Sequence, residues 1–339
     1  MRTKLITGLI LLNGFLTVTS PLTAAPLLII ETVLVGNPNN LPDPVDQVGQ
    51  VAYAYKIGKY NITAGQYVTF LNAVATKPKD IKNQAISGAI ENLWIPAMSS
   101  TKAKKYVTPS GVIQRTGGGR ANNPYVFSIQ RDMNMENLYG VAASSDRPMF
   151  EISWFRAARF ANWMHNGATN DADTENGAYK LKGAMNGVFT KTANAAWWIP
   201  SEDEWYKAAF YDPTMVTPSN AGYHDFPTRN DEPNFPIAEA PPGGANSANY
   251  SGVMPDGLKL TPAGAYPNSY SYYGARDMAG PLWQWNDAIY TNAAGVKQNR
   301  GMRGGSWSLG ILTVHRYSPR DYPPNYEDDD AGFRLCTKP

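Results

Sequence analysis

Gly301-Met302-Arg303-Gly304-Gly305-Ser306-Trp307 is the stretch around which the chain is organised. Two adjacent glycines let the backbone take positive φ or approach another segment closely, and here they lie between a cation and a Ser-Trp pair. A simple connecting loop does not need that combination. The loop that follows, as far as Arg320, is therefore where function is expected to reside.

The surrounding 339 residues are 43% hydrophobic and 12% aromatic but only 17% charged, with 30 Gly and 26 Pro. This describes a folded, loop-rich, aromatic-heavy chain and excludes a helical bundle or a disordered polypeptide. Arg2 and Lys4 precede an apolar run from Leu5 to Leu16, and small residues follow at Thr23, Ala24 and Ala25. That is the pattern of a secretory signal peptide over residues 1–25. The run is too short to span a bilayer, and no later stretch qualifies as transmembrane. The expected mature chain, residues 26–339, is secreted or periplasmic; a retained anchor is the alternative, because Pro21 and Pro26 blur the cut site.

Without Arg2 and Lys4 the basic residues fall level with the 28 acidic ones, and a neutral chain argues against nucleic acid as a partner. The single cysteine, Cys336, rules out an intramolecular disulfide although export would permit one. Bound calcium is the natural substitute cross-link. Cys336 itself reads as a small buried side chain in a terminal strand.

Taken in order, Leu27 to Val35 and Val51 to Tyr60 read as strands. Thr63 and Gln66 have the spacing of a capping box, followed by Tyr67, Phe70, Leu71 and Val74 at helical intervals. From Lys77 to Gly140 the pattern weakens into turns and short strand-like pieces such as Tyr125 to Ile129, and Lys102, Lys104 and Lys105 form a solvated cluster. Ser153 caps a core helix with Trp154, Ala157, Ala158, Ala161 and Met164 on one face, and His165 in its last turn suits the helix dipole. Ser201 and Glu204 form a second capping box, and Asp212-Pro213 ends that helix. Short capped helices ahead of irregular strands indicate one α+β domain.

The ordered set of motifs resembles the formylglycine-generating enzyme, or sulfatase-modifying factor, family, whose fold is related to C-type lectins. It comprises Tyr55 to Tyr60 with Thr63 to Gln66, Arg147-Pro148 with Ser153-Trp154, Ile199 to Trp205, Tyr273-Gly274 to Trp285, Arg303 to Trp307, and Gly332-Phe333-Arg334. The resemblance implies two calcium sites. Asn249 and Asp256, with the carbonyls of Tyr250 and Leu258, match the first; Asp277 and Gln284, with those of Gly280 and Leu282, match the second. The family's Gly-Asn-x-Trp-Glu-Trp becomes Gly280-Pro281-Leu282-Trp283-Gln284-Trp285, so a glutamate charge is lost at Gln284 and partly restored at Asp277. Turn-forming Asn and Asp that bond their own backbones are the alternative reading.

The resemblance also implies a pair of cysteines after the Gly-Gly-Ser-aromatic motif, binding Cu(I) for an oxidase reaction. Ser308, Leu309, Gly310, Ile311, Leu312, Thr313, Val314 and His315 occupy that region without a thiol, so no copper is expected. Ser306, Trp307, His315, Arg316 and Arg320 remain as cleft candidates, offering rings and guanidinium donors to a peptide, glycan or protein ligand. An iron site would need two of His165, His224 and His315 to meet through the fold, and no spacing rule joins Ser306, His315 and Asp321 into a nucleophile system. The expected protein is a calcium-stabilised binding member of the family; a metal-dependent oxidoreductase and a self-associating structural component are the alternatives.

Overall fold

The computed structural model describes residues 27–76, 93–99, 112–255 and 258–339; the expected signal segment, the Lys102, Lys104 and Lys105 cluster and Asp256 lie outside them. β1 (Thr32–Val35) and β2 (Tyr55–Gly58) pair antiparallel, with Thr32 opposite Gly58. Both are shorter than the apolar runs Leu27 to Val35 and Val51 to Tyr60. α1 (Ala64–Val74) starts on the expected Thr63–Gln66 capping box and buries Tyr67, Phe70, Leu71 and Val74.

β3 (Ile113–Thr116) and β4 (Val126–Ile129) form a separate ribbon. Two short helices follow: α2 (Met133–Tyr139), capped by Asp132, where the sequence suggested turns and short strand-like pieces, and α3 (Ala143–Asp146), beyond that segment. α4 (Trp154–His165) is capped by Ser153 and is buried on every side from Trp154 to Met164, not along a single stripe. Two arginines are therefore inside, and each has an acid: Arg156 meets Glu327, and Arg159 Nε lies 2.6 Å from Glu175. His165 does not act as a cation on the helix dipole. Its Nδ1 accepts the Ala196 N–H at 2.9 Å, and burial lowers its pKa, so the ring is a neutral acceptor.

β5 (Trp197–Trp198) leads into α5 (Glu202–Phe210), whose Ser201–Glu204 capping box is present. The Glu204 carboxylate also accepts from Tyr53 OH and Trp198 Nε1, which confirms the capping reading of this acid cluster over a catalytic one. A two-residue ribbon of β6 (Ile237–Ala238) and β7 (Ser247–Ala248) precedes the long hairpin of β8 (Trp283–Thr291) and β9 (Lys297–Arg303). β10 (Arg320–Tyr322), β11 (Ala331–Gly332) and β12 (Cys336–Thr337) complete the chain.

Two four-stranded sheets result, ordered β1-β2-β12-β5 and β10-β9-β8-β11. The C-terminal β12 lies between β2 and β5, so Cys336 is buried as expected, and burial pushes its thiol pKa well up. Helices are interspersed among strands that pair mostly antiparallel, so the architecture is α+β in a single domain. The main core joins α1, α4 and α5 to the inner faces of the sheets, with Trp154, Trp163, Trp205, Trp283 and Trp285 buried. A smaller cluster of Phe226, Ala248, Tyr250, Ala279 and Val314 underlies the loop after Trp307.

Candidate functional site

Gly304 and Gly305 both have left-handed φ, +104° and +76°, and turn the chain sharply out of β9. A Cβ on Gly305 would stand 2.6 Å from Val314 Cγ1, so the following loop folds back onto its own starting point. The Arg303 half is scaffold: its guanidinium is buried, pairs with Glu202 at the start of α5, donates to the Arg316 carbonyl at 2.5 Å and stacks over Tyr206 at 4.8 Å.

The loop is then stitched to a turn in the 250s. Ser251 N donates to Leu309 O at 2.9 Å and Gly252 N to Trp307 O at 2.7 Å. Val314 plugs the smaller core cluster, and Leu309 packs against the main core.

The five cleft candidates divide into three groups. Ser306 is fully buried, with Oγ 3.1 Å from Ser308 Oγ and hydrogen-bonded to Asp330; Trp307 carries Lys259 Nζ 4.5 Å above its ring, and Lys259 pairs with Asp329 at 2.7 Å. His315 and Arg316 belong to a second cluster. The His315 ring stands edge-on to Phe226, and its Nε2 lies 3.9 Å from Asp225 and 3.8 Å from Glu232. Arg316 reaches Asp43 at 3.0 Å, Asp225 at 3.2 Å and the Tyr223 carbonyl at 3.0 Å. Arg320 stands apart in β10, stacked 4.7 Å over Trp283.

This grouping corrects the expectation of free guanidinium donors, because Arg316 is already held by two carboxylates and a carbonyl. An anionic ligand would have to displace one of them. Beside Arg316 opens a cleft of about 320 Å³, lined by Pro44, Asn220, Tyr223, Asp225 and Asp231 among others. Asp43, Asp231, Glu232 and Lys259 were not foreseen as site residues, and Asp225 only through Tyr223-His224-Asp225, an arrangement found in ordinary loops as well as in sites; the local signal for Asp43 was its place between Pro42 and Pro44.

His224 and His315 each approach carboxylates of the loop from Asp225 to Glu232, but among the described residues no group of three or more His, Cys, Asp and Glu side chains could hold a metal ion. His224 Nδ1 lies 3.0 Å from Asp231 and its Nε2 3.6 Å from Asp212. Burial lowers the His315 pKa against the pull of Asp225 and Glu232. Ser306, His315 and Asp321 form no relay: Ser306 bonds Asp330, while Asp321 accepts from Asn299 at 2.7 Å.

Burial, aided by Asp328 and Asp329, pushes the Asp330 carboxyl up to about 6, opposed by Ser306 and Arg320. A raised carboxyl pKa means that the folded state holds a proton which the unfolded state has released. Stability contributed here is complete below the unfolded value and falls as pH rises from about 4 to about 6. Asp330→Asn should remove a fall on the order of 1 kcal/mol from that window, measured by urea unfolding at several pH values.

At the first calcium set, Asn249 is buried, its Nδ2 donates to the Lys259 carbonyl at 2.9 Å, and its Oδ1 has no hydrogen-bond partner among the described residues. A buried, unsatisfied amide oxygen is what a hard cation would complete, so the described part of this set fits calcium. The second set does not fit. Gln284 Oε1 is already taken by Trp205 Nε1 at 2.9 Å and Arg334 Nε at 2.6 Å.

With this geometry in place, the chain belongs to the sulfatase-modifying factor enzyme 1-like domain family, whose sequence model matches residues 30–339. Hercynine oxygenase of Mycolicibacterium thermoresistibile is 31% identical over 170 residues, 44% of this chain and 34% of that protein. The Mycolicibacterium smegmatis hercynine oxygenase is 33% identical over 147 residues, 37% and 30% respectively. The chain thus spans about a third of the length of these curated relatives. The crystal structure of CarF superposes with a TM-score of 0.54 at 16% identity, covering 92% of this chain and 99% of that one, and shows the same fold. Among the described residues no helix is long and apolar enough to cross a membrane.

Proposed function

We propose that this chain is an exported, calcium-stabilised member of the family that binds a ligand or partner protein and does not convert cysteine to formylglycine. The observation that carries the reading is the chemistry of the loop after Trp307. Where the family's thiolate pair is expected, Leu309 packs on the core and Val314 plugs the smaller cluster, while the one thiol, Cys336, is buried within a sheet. No residue of the loop from Ser308 to His315 can supply a thiolate to Cu(I). The cleft beside Arg316 is the binding site in this account. Tyr223 offers a ring, and Asp225 and Asp231 offer acceptors, so its walls favour a ligand that brings hydrogen-bond donors. The test is the offer of a sulfatase-type cysteine peptide with copper and oxygen.

A second reading, a metal-dependent oxidoreductase with different chemistry, is favoured by two observations. Relatives named hercynine oxygenase match part of the chain, and His224 and His315 flank the same carboxylate-bearing loop. Stoichiometric iron or copper in the purified protein would select this reading over the first.

Calcium at Asn249, Tyr250, Asp256 and Leu258 would brace the turn that holds the Trp307 and Leu309 carbonyls. Chelation should therefore lower the melting temperature, by the equivalent of about 2.7 kcal/mol if calcium had been present at a hundredfold its Kd. An unchanged calorimetric midpoint would count against the site.

A further inference from the structure

The loop that resembles the family's second calcium site is closed by the chain's own hydrogen-bond donors. The Gln284 side chain is fully buried, and both ends of its amide are engaged. Oε1 accepts from two N–H groups, Trp205 Nε1 at 2.9 Å and Arg334 Nε at 2.6 Å. Nε2 donates to the Asp277 carbonyl at 2.9 Å. A Cβ on Gly304 would meet Gln284 Nε2 at 3.2 Å and the Leu282 carbonyl at 3.4 Å, so the amide nitrogen and two of the candidate ligand residues converge on one spot.

Which end of an amide is oxygen must be decided from its partners. Here the partners decide it. Indole Nε1 and guanidinium Nε are donors only, so the end facing them has to accept. Rotating the amide by half a turn would set NH₂ against both of them and leave two buried N–H groups without acceptors, costing several kcal/mol. The end that faces Asp277 O therefore carries N–H, and an N–H cannot ligate a cation.

Asp277 is engaged as well, at its carbonyl and at one carboxylate oxygen. Arg334 Nη2 donates to the carbonyls of Arg276 at 2.8 Å and Asp277 at 3.2 Å, and Gly264 N donates to Asp277 Oδ2 at 2.7 Å. Arg334 brings a buried positive charge to the place where a dication would have to sit, and the neutral Gln284 does nothing to offset it.

We propose that the Gln284 amide, held in one orientation by Trp205 and Arg334, replaces calcium in the loop from Asp277 to Gln284, and that Gln284→Glu alone restores a cation site. A carboxylate would keep one oxygen for Trp205 and Arg334. Its second oxygen would then face the Asp277 and Leu282 carbonyls, as oxygen ligation requires.

Equilibrium binding of calcium to the purified protein and to Gln284→Glu tests this directly. The variant should bind one calcium per chain more than the parent, with a melting temperature that rises on adding calcium; an unchanged stoichiometry overturns the proposal. A parent that binds none and a variant that binds one would uphold it while removing the separate site at Asn249. If the variant does not fold, the parent alone still decides. The Gln284 side-chain NH₂ resonances should stay protected from exchange and unmoved as calcium is added, and their shift or loss would show that the loop takes the ion.

Discussion

Arg303→Met is expected to destabilise the protein by about 3–5 kcal/mol, the range for removing one partner of a buried ion pair. The guanidinium bonds Glu202 at the head of α5, donates to the Arg316 carbonyl and covers the Tyr206 ring. Methionine replaces the stem but none of the donors, and among the described residues Glu202 keeps only its side-chain bond from Asn286 Nδ2. Adding Glu202→Gln removes the stranded charge, so the double variant should lose less than the two single changes summed. Urea unfolding measures both. A cost under about 1 kcal/mol for Arg303→Met would mean that the motif arginine is not a structural member. Because Arg303 also fixes the Arg316 carbonyl, loop residues on the cleft should show faster amide exchange in this variant well below the unfolding midpoint.

Gly280→Ala is the second large effect. Gly280 has φ +92°, and its N–H donates to the Gly304 carbonyl at 2.6 Å, tying the loop before β8 to the double-glycine turn. A Cβ there would lie 2.3 Å from the Asn249 carbonyl oxygen, which is backbone and cannot rotate away. Left-handed strain and the enforced shift together should cost about 2–4 kcal/mol. The change also pushes Asn249 out of place, so calcium affinity at the first site should fall in the same variant. Calorimetry and a calcium titration on one sample check both consequences.

The two predictions show which parts of the molecule were legible in the sequence. Capping boxes at Thr63 and Ser201, the Ser153 cap and the buried Cys336 strand were readable because each depends on neighbours within a few residues. The helix α2 was not. Its Met133, Asn134 and Leu138 leave no strong apolar stripe, and its Asp132 cap carries no Glu or Gln three residues on, so only the structure reveals it.

The site was half legible for the same reason. Arg303 to Trp307 could be recognised as a unit, since its glycines act locally. The partners of Arg316, by contrast, come from Asp43 and Asp225, hundreds or scores of positions away in the chain, and no spacing rule reaches them. Asp43 gains its role only because Tyr206 on α5, bonded to it at 2.6 Å, brings that early loop over the cleft. Gln284 is intermediate: the missing glutamate was visible in the sequence, but the two donors that fix its amide were not.

The central claim is that the scaffold persists without the family's thiolate chemistry. Incubating the purified protein with copper, oxygen and a sulfatase-type cysteine peptide, and following the peptide by mass spectrometry, tests it most directly. The account predicts that the cysteine is recovered unchanged, and appearance of the formylglycine aldehyde in proportion to added protein would contradict it.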